Sequence, residues 1–172
     1  MSELSTSHGT VDGAAPIAYL GPEGTFTEQA LQHQADLAAR PLLACDSMVD
    51  ALFAVHDGTV ELGVVPIENA IEGTVNATID TLAFDVDLLI QRELLEPVSL
   101  NLLVNPGSPA RDIERIVSIP IAAAQCRTWL RTNLAEVPHD TVNSTAEAAA
   151  VVARSGDPKV AAIANVRAAE VY

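Results

Sequence analysis

Four short polar runs carry the side chains able to do chemistry in this sequence: Gly21 to Thr27 (GPEGTFT), Pro66 to Asn76 (PIENAIEGTVN), Ser118 to Arg127 (SIPIAAAQCR) and Asn143 to Thr145 (NST). In the first, glycines let the backbone approach a ligand, and Thr25 and Thr27 stand at a helix start, where an anionic group is stabilised. The same residues also read as an ordinary capped turn. Neither G-x-G-x-x-G nor a closing G-K-S/T is there, which excludes the dinucleotide and P-loop signatures. In the second run, Glu68 and Asn69 follow an apolar stretch directly, with Glu72, Gly73 and Thr74 one turn on. An acidic residue beside an amide can hold a ligand or stabilise developing charge, and it can equally cap a following helix. The third run places Ser118 at a strand end and Gln125, Cys126 and Arg127 in the next helix. Cys126 has no partner base nearby in sequence and reads as a small buried hydrophobe rather than a nucleophile. His8, His33, His56 and His139 are scattered, with no carboxylate or cysteine at ligand spacing, so no metal site is expected and no Ser/His/Asp triad is visible.

The elements that must position these groups alternate in type. IAYL (Ile17 to Leu20), PLLAC (Pro41 to Cys45) and LGVVPI (Leu62 to Ile67) read as short buried strands. Between them, Thr25 with Glu28 matches a capping box that opens a helix to about Ala39, and Ser47 caps a second helix that stops near Gly58. The stretch from Gly73 to Ala83 looks helical. Asp87 to Val104 gives two extended runs, readable as hinge connections between two α/β units or as an antiparallel edge hairpin. Beyond the turn NPGSP, RIVSI (Arg115 to Ile119), HDTVN (His139 to Asn143) and KVAAIA (Lys159 to Ala164) read as strands. They are separated by helices over Ile121 to Leu134 and from Ser144 or Thr145 to Ser155, and Asn165 begins a last helix. Apolar strands alternating with helices predict an α/β fold with mainly parallel sheets, and in such sheets ligands gather at the carboxyl ends of strands. All four polar runs follow strands.

Composition narrows the partners. The chain has 172 residues, 49% of them hydrophobic, and sets 9 Lys and Arg against 23 Asp and Glu for a net charge of -14. That charge removes the electrostatic term on which most nucleic-acid affinity rests, and anionic membrane surfaces are excluded for the same reason. No apolar run is long enough for a membrane helix, and residues 1–15 have neither the basic start nor the apolar stretch of a signal peptide. A cytoplasmic protein is expected. Residues 1–15 have no apolar period and are expected to be disordered. Aromatic residues make up 3% of the chain, so the core must be aliphatic. Cys45 and Cys126 lack disulfide or C-x-x-C spacing and read as reduced thiols.

Taken together and in order, GPEGTFTEQA, VVPIENAIEGTVNATIDTL, AQCRTWL, NSTAEAA and VAAIANVRAAEVY resemble the dehydratase domain of the prephenate dehydratases. The resemblance implies a two-lobed α/β domain like that of periplasmic binding proteins, with lobes at about 16–98 and 99–172 and prephenate held between them. It further implies a C-terminal ACT domain that binds phenylalanine, a homodimer in the complete form, and a reaction without cofactor. That reaction expels the ring carboxylate as CO2 and the ring hydroxyl as water on the way to phenylpyruvate, a step of L-phenylalanine biosynthesis. Hydroxide is a poor leaving group, so a positioned donor must assist its departure while the two substrate carboxylates are fixed. Carried over residue by residue, Glu68, Asn69, Ser118 and Gln125 match the family's catalytic positions. Thr25, Phe26, Thr74, Arg127, Ser144 and Thr145 are the substrate-binding candidates.

Three departures accompany the resemblance. Where the family usually reads Ser-His-Pro-Gln, this chain has Ser118, Ile119, Pro120 and Ile121. The histidine the family often carries near Leu100 or Asn101 is replaced. The family's Thr-Arg-Phe motif, whose threonine is its principal acid group, lies beyond the point matched by Tyr172. The expectation is therefore of an incomplete form, lacking the segment that returns to the first lobe and leaving apolar surface of that lobe uncovered. Two alternative readings keep the same fold: a non-catalytic module binding a small carboxylate, and an arogenate dehydratase or prephenate decarboxylase.

Overall fold

A computed structural model describes residues 15–172, and the expectation of a disordered tail falls outside them except at Ala15. Ala15 itself is held: its carbonyl accepts from both Nε and Nη2 of Arg40.

The first unit is built on three parallel strands, β1 (Ile17–Leu20), β2 (Leu42–Cys45) and β3 (Leu62–Val64), in the order β2-β1-β3. Alternation along β1 divides its faces. Ile17 and Tyr19 pack with Leu31 and Leu37, beside helix α1 (Phe26–Gln32). Ala18 packs with Ala51 and Val60, beside helix α2 (Met48–His56). Gly63 lets α2 lie close on β3, because a Cβ there would stand 2.9 Å from Val55 Cγ2.

The second unit has four strands in the order β6-β9-β7-β8: β6 (Asn101–Val104), β7 (Arg115–Ser118), β8 (His139–Thr141) and β9 (Val160–Ala164). β7, β8 and β9 are parallel, and β6 joins β9 antiparallel. Helices α6 (Thr145–Ser155) and α7 (Val166–Val171) cover one face, where Val117, Ala162 and Ala164 meet Ala148, Val152 and Ala168. Helices α4 (Pro120–Gln125) and α5 (Arg127–Asn133) cover the other, where Ile116 and Ile163 meet Ala122 and Leu130. Small alanines let helices approach the sheet closely, which is how a core this poor in aromatics reaches interior density. The expected α/β class with mainly parallel sheets is the one observed.

Several elements differ from their sequence reading. α1 stops at Gln32, because Gln34 and Leu37 donate to Leu31 and Gln34 carbonyls in tight turns that swing Leu37 into the core. The helix expected over Ile121 to Leu134 is two, broken at Cys126, where ψ is 0°. The stretch from Gly73 begins as the second strand of a small hairpin, β4 (Glu68–Asn69) with β5 (Gly73–Thr74). Helix α3 (Asn76–Asp80) then follows, closing in a wider turn to Asp85.

Residues 87–100 form no helix and join no sheet. Instead Arg92, Leu94 and Glu96 face the α1 side: Arg92 pairs with Asp36, Leu94 joins the core of the first unit, and Glu96 accepts from Gln29 and pairs with His33. The intervening Leu95 is 87% exposed and Leu89 80%, so this segment presents an apolar outer edge. No described helix is long and apolar enough to cross a membrane.

Candidate active site

The two units meet through the turns at the carboxyl ends of their central strands. β1 ends at Leu20 and leads into α1, while β9 ends at Ala164 and leads into α7. Glu28, in the first turn of α1, is almost fully buried, a position a carboxylate occupies only when paired. One of its oxygens accepts from Arg167 Nη2 at 2.7 Å and Nε at 3.1 Å, and the other accepts from the Gly24 N–H. Arg167 also reaches Glu170 at 3.3 Å, and its own N–H donates to Gln29 Oε1. Tyr172 Oη donates to the Glu23 carbonyl at 3.0 Å. Gly24 adopts φ +84°, and a Cβ there would stand 3.1 Å from Ala168 Cα, so glycine serves both the turn and the close seat of α7. These contacts bring the β1–α1 turn against the β9–α7 turn.

The predicted residues fall into two groups. Thr25 caps α1, accepting from Glu28 N–H, while its hydroxyl donates to the Leu20 carbonyl. The capping box is thus half formed, since Glu28 turns to Gly24 and Arg167. Phe26 is the first residue of α1. Ser118 ends β7, buried, with its hydroxyl donating to the Ile163 carbonyl of β9 at 3.1 Å. Ser144 caps α6 by accepting from Glu147 N–H, and buried Thr145 follows it. All five stand where strands of the two sheets end or helices begin.

The hairpin holds Glu68, Asn69 and Thr74 after β3. Asn69 does not cap a helix: its Oδ1 accepts from the Ile71 and Glu72 N–H groups and shapes the hairpin turn. Glu68 lies exposed opposite Thr74. Gln125 is exposed at the end of α4. Arg127 lines a groove with Arg131 and His139. His139 opens β8, so that groove reaches the end of the sheet opposite Ser118.

Three residues, Glu28, Arg167 and Thr78, escape a reading by local spacing, and a fourth, Asn165, was legible only as a helix start. Glu28 and Arg167 are 139 positions apart. Thr78, fully buried in α3, donates to the Pro66 carbonyl at 2.7 Å and pins the base of the hairpin. Asn165 is fully buried at the end of β9. Its Oδ1 accepts from Ala168 N–H, capping α7, while its Nδ2 has no partner among the described residues. The one available sign was an Asn placed directly after an apolar strand.

Burial, reinforced by Glu28 and Glu23, pushes the Tyr19 phenol far above its ordinary range. The Tyr172 phenol is raised by burial and the same carboxylates. The hydrogen bond to Glu28 raises the Arg167 guanidinium, which therefore stays charged. Burial raises the Cys126 thiol, opposite to the change that activates a nucleophile. Among the described residues no three His, Cys, Asp or Glu side chains gather at metal-binding distance. The assembled groups are hydrogen-bond donors, acceptors and helix-start amides, a set suited to positioning an anionic ligand and moving a proton rather than to acyl transfer.

Comparison with known proteins gives this geometry a family. The model for prephenate dehydratase matches residues 17–172. A prephenate dehydratase of Mycolicibacterium gilvum is 44% identical over 147 residues, covering 80% of this chain and 48% of the relative. The chain thus spans about half the length of the curated relatives it matches. Among solved structures, prephenate dehydratase from Arthrobacter aurescens in complex with L-Phe superposes with a TM-score of 0.83 at 36% identity, covering 91% of this chain and 52% of that one. GqqA, described as a novel type of quorum quenching acylase, superposes with a TM-score of 0.79 at 33% identity, covering 91% of this chain and 55% of that one.

Proposed function

The chain belongs to the prephenate dehydratase family, and from that premise we propose that the protein it forms converts prephenate into phenylpyruvate, carbon dioxide and water. The observation that carries this reading is the family match across residues 17–172. In the reaction the bond from the ring to its carboxylate breaks to release CO2, and its electron pair enters the ring. The C–OH bond breaks as a proton reaches the departing oxygen, and the ring becomes aromatic. The protein's task is to fix two carboxylates and supply that proton, which accounts for a site of amides and hydroxyls.

In this reading 16–98 and 99–172 form the two lobes and prephenate lies between them. Glu68 and Asn69 act from the first lobe, Ser118 and Gln125 from the second. Thr25, Phe26, Thr74, Ser144 and Thr145 line the substrate, and helix-start amides at Thr25 and Ser144 face its carboxylates. The protein works in the cytoplasm, within aromatic amino-acid biosynthesis, as a homodimer in its longer form. The fit to the GqqA fold brings an acyl-transfer alternative into view, but nothing favours it here: among the described residues no hydroxyl or thiol is hydrogen-bonded to a histidine.

The test combines calorimetry with prephenate and detection of phenylpyruvate in alkali. Prephenate is expected to bind, and Asn69→Ala to weaken it by about tenfold, the size of a lost charge-assisted contact. Absence of both binding and product would overturn the reading. Tight binding without product would favour the carboxylate-binding module.

A further inference from the structure

The nine cations of this acidic chain are not distributed evenly among partners. Arg40, Arg92, Arg111, Arg115, Lys159 and Arg167 each have a carboxylate within ion-pair distance. Among the described residues, Arg127, Arg131 and Arg154 have none. Arg154 stands in the last turn of α6, where the helix dipole favours a cation. Arg131 likewise stands in the last turn of α5, but Arg127 opens that helix, at the end where the dipole disfavours a cation. They lie four residues apart in α5, a like-charge spacing that costs a helix a few tenths of a kcal/mol. Although the chain has 23 acidic residues, none falls within 115–135.

Both arginines line one groove of about 320 Å3, open to solvent, with His139 at its rim and Leu130, Leu134 and Ala124 among its walls. The volume is at the lower end of the range for small-molecule sites. The nearest acidic side chains do not fill it: Asp140 pairs with Arg115, and Glu136 is exposed and outside the lining. Two guanidiniums left without carboxylates, against an apolar wall, on a chain of charge -14, are complementary to an anion that also brings apolar surface. A bare inorganic anion would leave that wall unused.

We propose that the α5 groove is a binding site for a small organic carboxylate, separate from the cleft, in which Arg127 and Arg131 hold the carboxylate and Leu130 and Leu134 meet its apolar body. Trp129, the one tryptophan of the chain, lies half-exposed on the same helix and serves as a built-in reporter. The full chain is titrated with phenylacetate, 2-phenylethanol and inorganic phosphate while tryptophan fluorescence and backbone amide shifts are followed. Phenylacetate is expected to give a saturable change, with amide shifts centred on residues 123–139. The alcohol and phosphate should bind at least about tenfold more weakly. Arg131→Gln should weaken phenylacetate by about tenfold or more, and Arg131→Lys by less, since lysine keeps the charge but not the fork. Circular dichroism establishes that each variant is folded. No saturation by about 10 mM phenylacetate, equal binding of either comparison compound, shifts centred on the cleft, or unchanged affinity in folded Arg131→Gln would each overturn the proposal.

Discussion

Arg167 Nη2 lies 2.7 Å from Glu28 Oε1, an ion pair that ties the helix after β9 to the helix after β1. Glu28 is the more buried partner, at 4% side-chain exposure against 28% for Arg167. Removing the arginine therefore strands a carboxylate in a poorly hydrated place, whereas removing both charges does not. Arg167→Met is expected to cost about 2–4 kcal/mol, discounted for the arginine's partial exposure. Glu28→Gln with Arg167→Met should recover much of that loss. Urea denaturation of the two single variants and the double variant provides the cycle, and additive losses would show that the pair is not coupled.

Gly24 controls the same junction from the backbone. Its φ of +84° lies in the left-handed region, and an added Cβ would press on Ala168 Cα at 3.1 Å. Gly24→Ala thus meets conformational strain and a contact with backbone that cannot rotate away, and about 2 kcal/mol of lost stability is expected. Gly156→Ala, at φ +60° but with no neighbour within 4 Å, carries the strain alone and should cost about 1 kcal/mol. Thermal denaturation of the two variants separates crowding from strain, and equal losses would remove the crowding argument.

The legible part of this architecture was the part written in neighbouring residues. Thr25, Ser47, Ser144 and Asn165 each cap a helix by accepting from the N–H three residues on, an interaction whose partners lie side by side in sequence. Strand positions were legible from apolar runs bounded by Gly and Pro, and the ordered polar motifs carried the family. The bonds that fold one turn onto another were not legible. Glu28 looked like half of a capping box because its local role and its long-range role use the same carboxylate. The hairpin at Glu68 to Thr74 escaped because Asn69 serves a tight turn as readily as a helix start. The break at Cys126 depends on packing against the sheet, which no local spacing encodes.

Ser144→Ala tests the strongest local reading. The hydroxyl satisfies Glu147 N–H at 3.0 Å, and the Glu147 carboxylate in turn accepts from Asn143 N–H. Loss of the cap should cost about 1 kcal/mol, and Ser144→Asp should restore it. Because Ser144 is also a substrate-lining candidate, prephenate affinity is the second readout: it should fall in Ser144→Ala even after correction for stability. An unchanged affinity would reduce Ser144 to a cap.

Tyr19 gives the fold a direction of response to alkali. Its phenol is 2% exposed, and burial with Glu28 and Glu23 nearby raises its pKa well above the ordinary value of 10.0. The unfolded chain therefore releases the Tyr19 proton near pH 10, while the folded chain keeps it. Above that pH the folded state binds more protons than the unfolded state, so stability falls as pH rises. The contribution is complete below about pH 10 and is lost at about 1.4 kcal/mol per pH unit until the folded phenol titrates. Tyr172, the other tyrosine, is also raised but is 44% exposed, so its phenol is the one solvent can reach in the native state. Denaturation midpoints across pH 9 to about 11 should fall in the parent chain and fall less steeply in Tyr19→Phe. Parallel curves for the two would show that the buried phenol is not the group responsible.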